Sequence, residues 1–167
     1  MKQKNIILCG FMGCGKSTVG SLLAKKNGMA FVDLDSYIEK KEGKTISEIF
    51  SDSGEAYFRA LEREASKELS AKNGLVIAAG GGTLTFQENV DVLRENGKIV
   101  LLDIPVEVVA QRLVGDTTRP LLNRPDRDEA MKELYEKRLP VYRKAADVII
   151  DGNQSPLQVC MEIMSIL

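Results

Sequence analysis

The sequence predicts an α/β fold in which helices cover both faces of a parallel sheet. Five short apolar runs bounded by turn residues recur along the chain, at 6–9, 30–32, 75–78, 99–102 and 148–150. Helical patterns lie between them, and this alternation is typical of parallel strands that are buried on both faces. A glycine-rich stretch joins the first run to the first helix, as in phosphate-binding α/β proteins.

Capping residues mark several helix boundaries. The first helix is predicted over 16–26, and it stops at Gly28, because glycine commonly ends helices. Capping boxes at 45–48 and 85–88 each predict the start of a helix. Pro156 suits the first turn of a last helix, where a missing backbone N–H costs nothing.

Two segments interrupt the alternation. Helical sequence over 37–69 is long for one crossover and predicts several short helices beside the sheet. The stretch 115–127 is rich in glycine, proline, threonine and charge, which is typical of a functional loop. We therefore expect one domain over 1–167, with a substrate-binding insertion at about 33–62 and a lid at about 113–127.

Composition narrows the class of protein. With 167 residues and a net charge of −1, the chain fits one globular domain without a polyanion-binding surface, so no nucleic-acid partner is expected. Three cysteines without a CxxC pair and no histidine argue against zinc and against a histidine-dependent nucleophile. The apolar runs are too short for a membrane span. Because the chain needs no disulfide scaffold, we expect it in the reducing cytoplasm. We also expect a monomer, because no apolar stripe is left for an interface.

The stretch 10–17, GFMGCGKS, predicts a phosphate-binding loop. Its glycines let successive backbone N–H groups face an anion, and the following helix adds its positive end. Lys16 can then reach the β- and γ-phosphates of a nucleoside triphosphate, while Ser17 can ligate Mg²⁺. A flexible glycine turn with a chance Lys-Ser is the alternative, which the strand and helix on either side disfavour. Cys14 is interpreted as a small spacer, although a helix N-terminus could lower its thiol pKa.

Two aspartates follow the second apolar run. Asp33 and Asp35 would lie on one side if the strand continued through them, at the edge where α/β proteins bind ligands. One could hold magnesium, directly or through water, while the other orients a hydroxyl nucleophile. A turn or a helix cap is the alternative interpretation.

Three glycines and an arginine predict where a second ligand, the acceptor of the phosphoryl group, would bind. Gly80, Gly81 and Gly82 directly follow the third run, which indicates close approach of backbone to a ligand, although a long flexible turn is the alternative. Phe58 beside Arg59 would offer an aromatic wall and a forked donor to a small carboxylate.

A second arginine lies in the predicted lid. Arg119, followed by Pro120 and two leucines, could close over a transferring phosphoryl group as arginine fingers do. Four other arginines are interpreted as parts of a solvated face: Arg63, Arg94, Arg124 and Arg127.

In this order along essentially the whole chain, the motifs resemble those of the shikimate kinase family. The matching pieces are the loop 10–17, Asp33-Leu34-Asp35, Phe58-Arg59 with Glu62, Gly80-Gly81-Gly82, Arg119-Pro120-Leu121-Leu122, Arg138 with Tyr142-Arg143, and Asn153-Gln154-Ser155-Pro156. The resemblance implies a P-loop three-layer fold of the nucleoside monophosphate kinase type, with a five-stranded parallel sheet. It also implies transfer of the ATP γ-phosphoryl to the 3-hydroxyl of shikimate, a step towards chorismate and the aromatic amino acids.

The resemblance also implies roles for individual residues. ATP would be bound by Gly13, Cys14, Gly15, Lys16, Ser17, Thr18, Arg112, Arg119 and Pro156, with Arg112 and Pro156 flanking adenine. Shikimate would be bound by Asp35, Arg59, Gly80, Gly81, Gly82 and Arg138, the two arginines gripping its carboxylate. Mg²⁺ would be held by Ser17 and Asp33. The catalytic residues would be Lys16, Asp35 as the base, and Arg119.

Three positions depart from the commonest pattern of the family. Leu34 stands where a small polar residue is more usual, and it should face away from the site. Ser17 replaces a frequent threonine and supplies the same hydroxyl. Gln154 stands near the adenine position where arginine is often found, which affects nucleotide affinity rather than chemistry.

Two rival functions remain at this point. Another small-metabolite kinase, such as a gluconate kinase, would share the phosphate loop. Its substrate, a polyol that bears a carboxylate, would also suit the two arginines. A catalytically silent relative would bind a metabolite and regulate a partner. The presence of Lys16, Asp35 and Arg119 argues against this second rival.

Overall fold

A computed structural model describes residues 3–113 and 125–167. It contains a five-stranded, wholly parallel sheet with the strand order β2-β3-β1-β4-β5, which confirms the predicted α/β fold. The strands are β1 (Asn5–Cys9), β2 (Ala30–Asp33), β3 (Leu75–Ala78), β4 (Gly97–Asp103) and β5 (Val148–Asp151).

Helices separate consecutive strands and cover the sheet. They are α1 (Lys16–Asn27), α2 (Leu34–Glu42), α3 (Ile46–Ser70), α4 (Gln87–Glu95), α5 (Val106–Arg112), α6 (Arg127–Ala145) and α7 (Pro156–Ile166), with a short 3₁₀ turn at Thr83–Thr85. In this part of the chain, no helix is both long and apolar enough to cross a membrane.

The core is built on the three central strands. Ile7 of β1 lies opposite Ile77 of β3 and Ile99 of β4, and all three side chains are fully buried. Burial on both faces explains why these strands are continuous apolar runs rather than alternating ones. Because β2 and β3 lie on one side of β1 and β4 lies on the other, the strand order reverses at β1. The carboxyl ends of the strands at such a point form the usual binding crevice.

The helical segment 37–69 folds more simply than the sequence predicts. Most of it belongs to α2 and α3, and α3 is interrupted only at Gly54, where φ is 83°. The capping box of Thr45 and Glu48 starts α3 as predicted.

The predicted capping box at 85–88 is wrong. Phe86 is the N-cap of α4 and makes no side-chain capping bond. The Thr85 hydroxyl instead donates to the Gly82 carbonyl oxygen at 2.6 Å, because Thr85 closes the 3₁₀ turn that follows the glycines.

Two of the arginines assigned to the solvated face also bind backbone; Arg94 is exposed as expected, and Arg127 is half-buried. Arg94 donates to the Ala145 carbonyl oxygen, and Arg127 donates to that of Leu113 at 2.6 Å. Both long side chains reach back to helix C-termini, where carbonyl groups lack helical partners.

Residues 114–124 lie outside the described residues, and this segment contains most of the predicted lid and its Arg119.

Ser66 offers a test of packing on α3. Its side chain is fully buried, and its hydroxyl has no hydrogen-bond partner among residues 3–113 and 125–167. An unpaired buried hydroxyl carries an uncompensated desolvation cost, so we expect Ser66→Ala to raise the free energy of unfolding by about 1 kcal/mol. Urea unfolding would measure the change.

A matched variant controls for the serine-to-alanine change itself. The Ser70 hydroxyl, on the same helix, donates to the Val92 carbonyl oxygen at 2.6 Å. Ser70→Ala should therefore lower the free energy of unfolding by about 1 kcal/mol. A Ser66→Ala variant that loses as much stability as Ser70→Ala would contradict the prediction.

Candidate active site

A cleft of about 810 Å³ opens at the carboxyl ends of the central strands. It brings together most of the residues that the sequence singled out: Gly13, Cys14, Gly15, Lys16, Ser17, Thr18, Asp33, Asp35, Arg59, Gly80, Gly81, Gly82 and Arg138. The phosphate loop forms one part of this cleft, and the aspartates, glycines and arginines form the rest.

The phosphate loop has the backbone that the motif requires. Gly13 and Gly15 have φ values of 78° and 95°, which residues with a side chain rarely adopt. Gly15 is the N-cap of α1, so no side chain caps the first amides of that helix. Helix α1 therefore begins at the cleft with amide groups that can bind an anion.

Lys16 folds back onto the loop that carries it. Its Nζ donates to the carbonyl oxygens of Gly10 at 2.7 Å and Phe11 at 3.4 Å. The ammonium group is thereby held within the loop by two neutral carbonyl oxygens. It can exchange these carbonyl bonds for stronger ones to a phosphate.

Asp33 connects the phosphate loop to α2. Its Oδ2 accepts a hydrogen bond from the Ser17 hydroxyl at 3.3 Å, and its Oδ1 accepts one from the Ser36 backbone N–H at 2.9 Å. The strand ends at Asp33, and Leu34 is buried in the core as the first residue of α2. Asp35 therefore reaches the cleft from the first turn of a helix, and not from a continued strand. The helix-cap interpretation of Asp33 also holds.

Each of the three glycines lies against a different charged side chain. A Cβ atom built on Gly80 would lie 2.7 Å from Asp35 Oδ1, one on Gly81 would lie 2.8 Å from Arg138 Nη1, and one on Gly82 would lie 2.6 Å from Arg59 Nη1. Those distances are too short for a real Cβ atom. The absence of side chains at 80–82 thus makes room for groups from α2, α6 and α3.

Arg59 is held from several directions. Its Nη1 donates to Glu62 Oε1 at 2.6 Å and its Nη2 to Glu55 Oε1 at 3.3 Å, while its guanidinium lies 5.3 Å from the ring centroid of Phe58. Burial alone would lower the pKa of Arg59, but the two glutamates raise it, so the group stays charged. The predicted aromatic wall beside this arginine is present.

Arg138 is the second arginine at the glycines, and it is buried on α6. One turn further along, the Tyr142 hydroxyl donates to the Gly81 carbonyl oxygen. Burial raises the pKa of Tyr142 above its usual value, so the phenol remains a donor. Helix α6 and the glycine turn are therefore fixed to each other beside Arg138.

A shikimate kinase family model matches residues 12–167. The chain belongs to the shikimate kinase family. A shikimate kinase of Persephonella marina is 47% identical over 162 residues, covering 97% of this chain and 98% of the relative. A structure described as shikimate kinase from Acinetobacter baumannii in complex with shikimate superimposes with a TM-score of 0.94 at 39% identity, covering 98% of this chain and 92% of that one.

A gluconokinase structure from Sinorhizobium meliloti is a more distant neighbour. Its TM-score is 0.58 at 18% identity, with 97% of this chain and 90% of that chain covered. At this identity the likeness extends to the fold alone. The resemblance to the shikimate kinase family expected from the sequence is confirmed, and the gluconate kinase alternative receives support only at the level of fold.

Two expected nucleotide-binding residues of this shikimate kinase family member lie outside the cleft lining. Arg112 ends α5, and its Nη1 donates to the Gly13 carbonyl oxygen at 2.8 Å, which places it in contact with the phosphate loop. Pro156 is the first residue of α7. The Gln154 amide donates to the Asp151 carbonyl oxygen at 2.8 Å and to Glu162 Oε1 at 3.0 Å, so its N–H groups are already engaged.

All three cysteines of this family member are buried. Cys14 packs against Gly10, where a Cβ atom would lie 2.7 Å from its Sγ, and this contact agrees with the spacer interpretation. Burial raises the pKa of Cys9 to about 12, so its thiol stays protonated at neutral pH.

Four residues that shape the site have no role that the sequence predicts. Glu62 and Tyr142 appear in the family motifs, but their contacts with Arg59 and Gly81 join distant parts of the chain. Thr83 and Asn89 belong to none of the motifs, and both are buried polar residues in the structure. Glutamate is rarely buried without a partner, so the burial of Glu62 is what indicates that Thr83 and Arg59 belong with it.

Proposed function

We propose that this member of the shikimate kinase family transfers the γ-phosphoryl group of ATP to the 3-hydroxyl of shikimate, giving shikimate 3-phosphate and ADP. One observation carries the proposal: a single cleft contains a phosphate loop together with Asp35, Arg59 and Arg138 around a triple-glycine turn. The close superposition on a relative described in complex with shikimate supports the choice of acceptor. The product would serve chorismate and aromatic amino acid biosynthesis.

On the donor side, the loop amides and Lys16 bind the phosphates of ATP. Lys16 gives up its bonds to the Gly10 and Phe11 carbonyl oxygens and donates to the β- and γ-phosphates. Residues 13–18 surround the triphosphate. Arg112 and Pro156 flank adenine, and Arg119, which lies outside the described residues, stabilises charge on the transferring group.

Ser17 and Asp33 fit a magnesium ion that accompanies ATP. The Ser17 hydroxyl and the Asp33 carboxylate meet at 3.3 Å at the edge of the phosphate loop. Among the described residues, no group of three or more His, Cys, Asp or Glu could hold a metal by itself. Mg²⁺ needs no such cage, because it keeps several waters and uses one or two protein ligands plus phosphate oxygens. When bound, it neutralises charge on the β- and γ-phosphates.

On the acceptor side, two arginines and one aspartate orient shikimate. Arg59 and Arg138 bind its carboxylate from α3 and α6, and backbone N–H groups of Gly80, Gly81 and Gly82 line the ring. Asp35 accepts the proton of the 3-hydroxyl as the new O–P bond forms. The bond between the γ-phosphorus and the bridging oxygen breaks, and ADP leaves.

The remaining expectations stay predictions. They concern the insertion over 33–62, the lid over 113–127, the monomeric state, the cytoplasmic location, and the absence of nucleic-acid and membrane partners. Size-exclusion chromatography with light scattering would test the monomeric state directly.

A coupled ADP-release assay tests the proposed function. We expect turnover with ATP and shikimate, and none above background with gluconate or nucleoside monophosphates. Turnover with gluconate but not shikimate would overturn the choice of acceptor. Binding of shikimate without any ADP release would favour the catalytically silent alternative.

A further inference from the structure

We propose that Thr83 is a positioning residue for the acceptor, because its hydroxyl fixes Glu62 and Glu62 in turn fixes the guanidinium of Arg59. The inference rests on the proposed function, since it concerns how Arg59 is held ready to bind the carboxylate of shikimate. Thr83 does not line the cleft, so it would affect acceptor binding through Arg59.

Glu62 is the link between the two residues. Its side chain is only 1% exposed. Oε1 accepts a hydrogen bond from Arg59 Nη1 at 2.6 Å, and Oε2 accepts one from the Thr83 hydroxyl at 2.7 Å. Because each oxygen has a different donor, the plane of the carboxylate is fixed. A buried carboxylate with one free oxygen would rotate to find another donor.

Thr83 is itself held in place on both sides. Its backbone N–H donates to the Gly80 carbonyl oxygen at 3.2 Å, which ties it to the glycine turn. Its carbonyl oxygen accepts a hydrogen bond from Asn89 Nδ2 at 3.0 Å, which ties it to α4. Thr83 and Asn89 are both buried, so water does not compete for these bonds. The hydroxyl therefore points at Glu62 from a fixed backbone.

Of the two carboxylates that pair with Arg59, Glu62 holds the guanidinium more strongly. The second carboxylate partner, Glu55, is 58% exposed and lies 3.3 Å away, so its bond is long and screened by solvent. Gly82 presents no side chain that would stop the guanidinium from shifting when its partner moves. Bidentate recognition of a carboxylate depends on the orientation of the fork, so a rotation of Glu62 weakens acceptor binding.

The test replaces Thr83 with valine, which keeps the shape and removes the hydroxyl. We expect Thr83→Val to raise the KM for shikimate about tenfold, with kcat and the KM for ATP changed less than about twofold. Thr83→Ser restores the hydroxyl and should return the KM for shikimate to within about threefold of wild type. Ser70→Ala, which loses a buried hydroxyl bond away from the cleft, should leave both KM values unchanged.

An Arg59→Ala background separates positioning from general destabilisation. If Thr83 acts through Arg59, Thr83→Val should lower kcat/KM for shikimate less than about twofold in that background. An undiminished effect there would overturn the inference, and so would an unchanged KM for shikimate in the single variant. Equal increases in both KM values would also overturn it, since they indicate a merely structural role.

Calorimetry gives a readout that does not need a well-expressed valine variant. Shikimate binding to Thr83→Ala in the presence of ADP should weaken about tenfold relative to wild type. Unweakened binding would overturn the inference while leaving the proposed function intact. Wild-type protein that neither binds nor phosphorylates shikimate would overturn both.

Discussion

Replacing Asp35 with asparagine should lower kcat for shikimate phosphorylation about 10³-fold while ATP binding survives. Asparagine keeps the size of the side chain and can still hydrogen-bond a hydroxyl, but it cannot accept the proton at neutral pH. Asp35 lies on α2 in the same cleft as the phosphate loop, with its Oδ1 packed beside Gly80. The kcat would be measured by coupled ADP release, and ATP binding by calorimetry.

Asp52→Asn provides the matched control for that substitution. Asp52 is an exposed residue of α3 that pairs with Lys44 at 3.0 Å and does not line the cleft. Its replacement should leave kcat within about twofold of wild type, because exposed ion pairs contribute little. Near-normal turnover in Asp35→Asn would remove Asp35 from the role of base. Loss of ATP binding in that variant would show instead that the donor site had been damaged.

Replacing Lys16 with methionine should lower kcat about 10²- to 10³-fold. Methionine retains the length of the aliphatic stem and removes the charge that stabilises the β- and γ-phosphates during transfer. The variant also loses the ammonium donor that is proposed to leave the Gly10 carbonyl oxygen for the phosphates, so the KM for ATP should rise as well. Initial rates over a range of ATP concentrations would measure both effects.

The control for Lys16→Met lies on the same helix. Lys25 is exposed in the last turn of α1, at the end opposite to the phosphate loop. Lys25→Met makes the same chemical change outside the cleft, and we expect kcat and the KM for ATP to stay within about twofold of wild type. Comparable losses in the two variants would mean that net charge, and not the position of Lys16, is responsible.

Backbone features of the fold and the site could be predicted because they depend on local sequence. All five strands occur where short apolar runs predicted them, with ends that differ by at most two residues. The phosphate loop was predicted equally well, since glycine spacing and the following helix are local properties. The wrong capping box at Thr85 shows the limit: its hydroxyl satisfies a carbonyl of the preceding turn.

Side-chain partnerships across the fold could not be predicted. Glu62 and Thr83 are 21 residues apart and lie on different elements, and no periodicity relates them. The same holds for Tyr142 and Gly81, which are 61 residues apart. The glycines at 80–82 were expected to admit a ligand, and tertiary packing also uses their open space for charged side chains from three helices.

The glycine turn therefore sets the spacing of the charged side chains in the acceptor half of the cleft. Consecutive Cα atoms are about 3.8 Å apart, so backbone geometry sets the spacing of the groups that rest against Gly80, Gly81 and Gly82. A larger residue in this turn would displace Asp35, Arg138 or Arg59 before it touched any acceptor. Engineering a new acceptor preference should accordingly begin on α2, α3 and α6, with the turn left as it is.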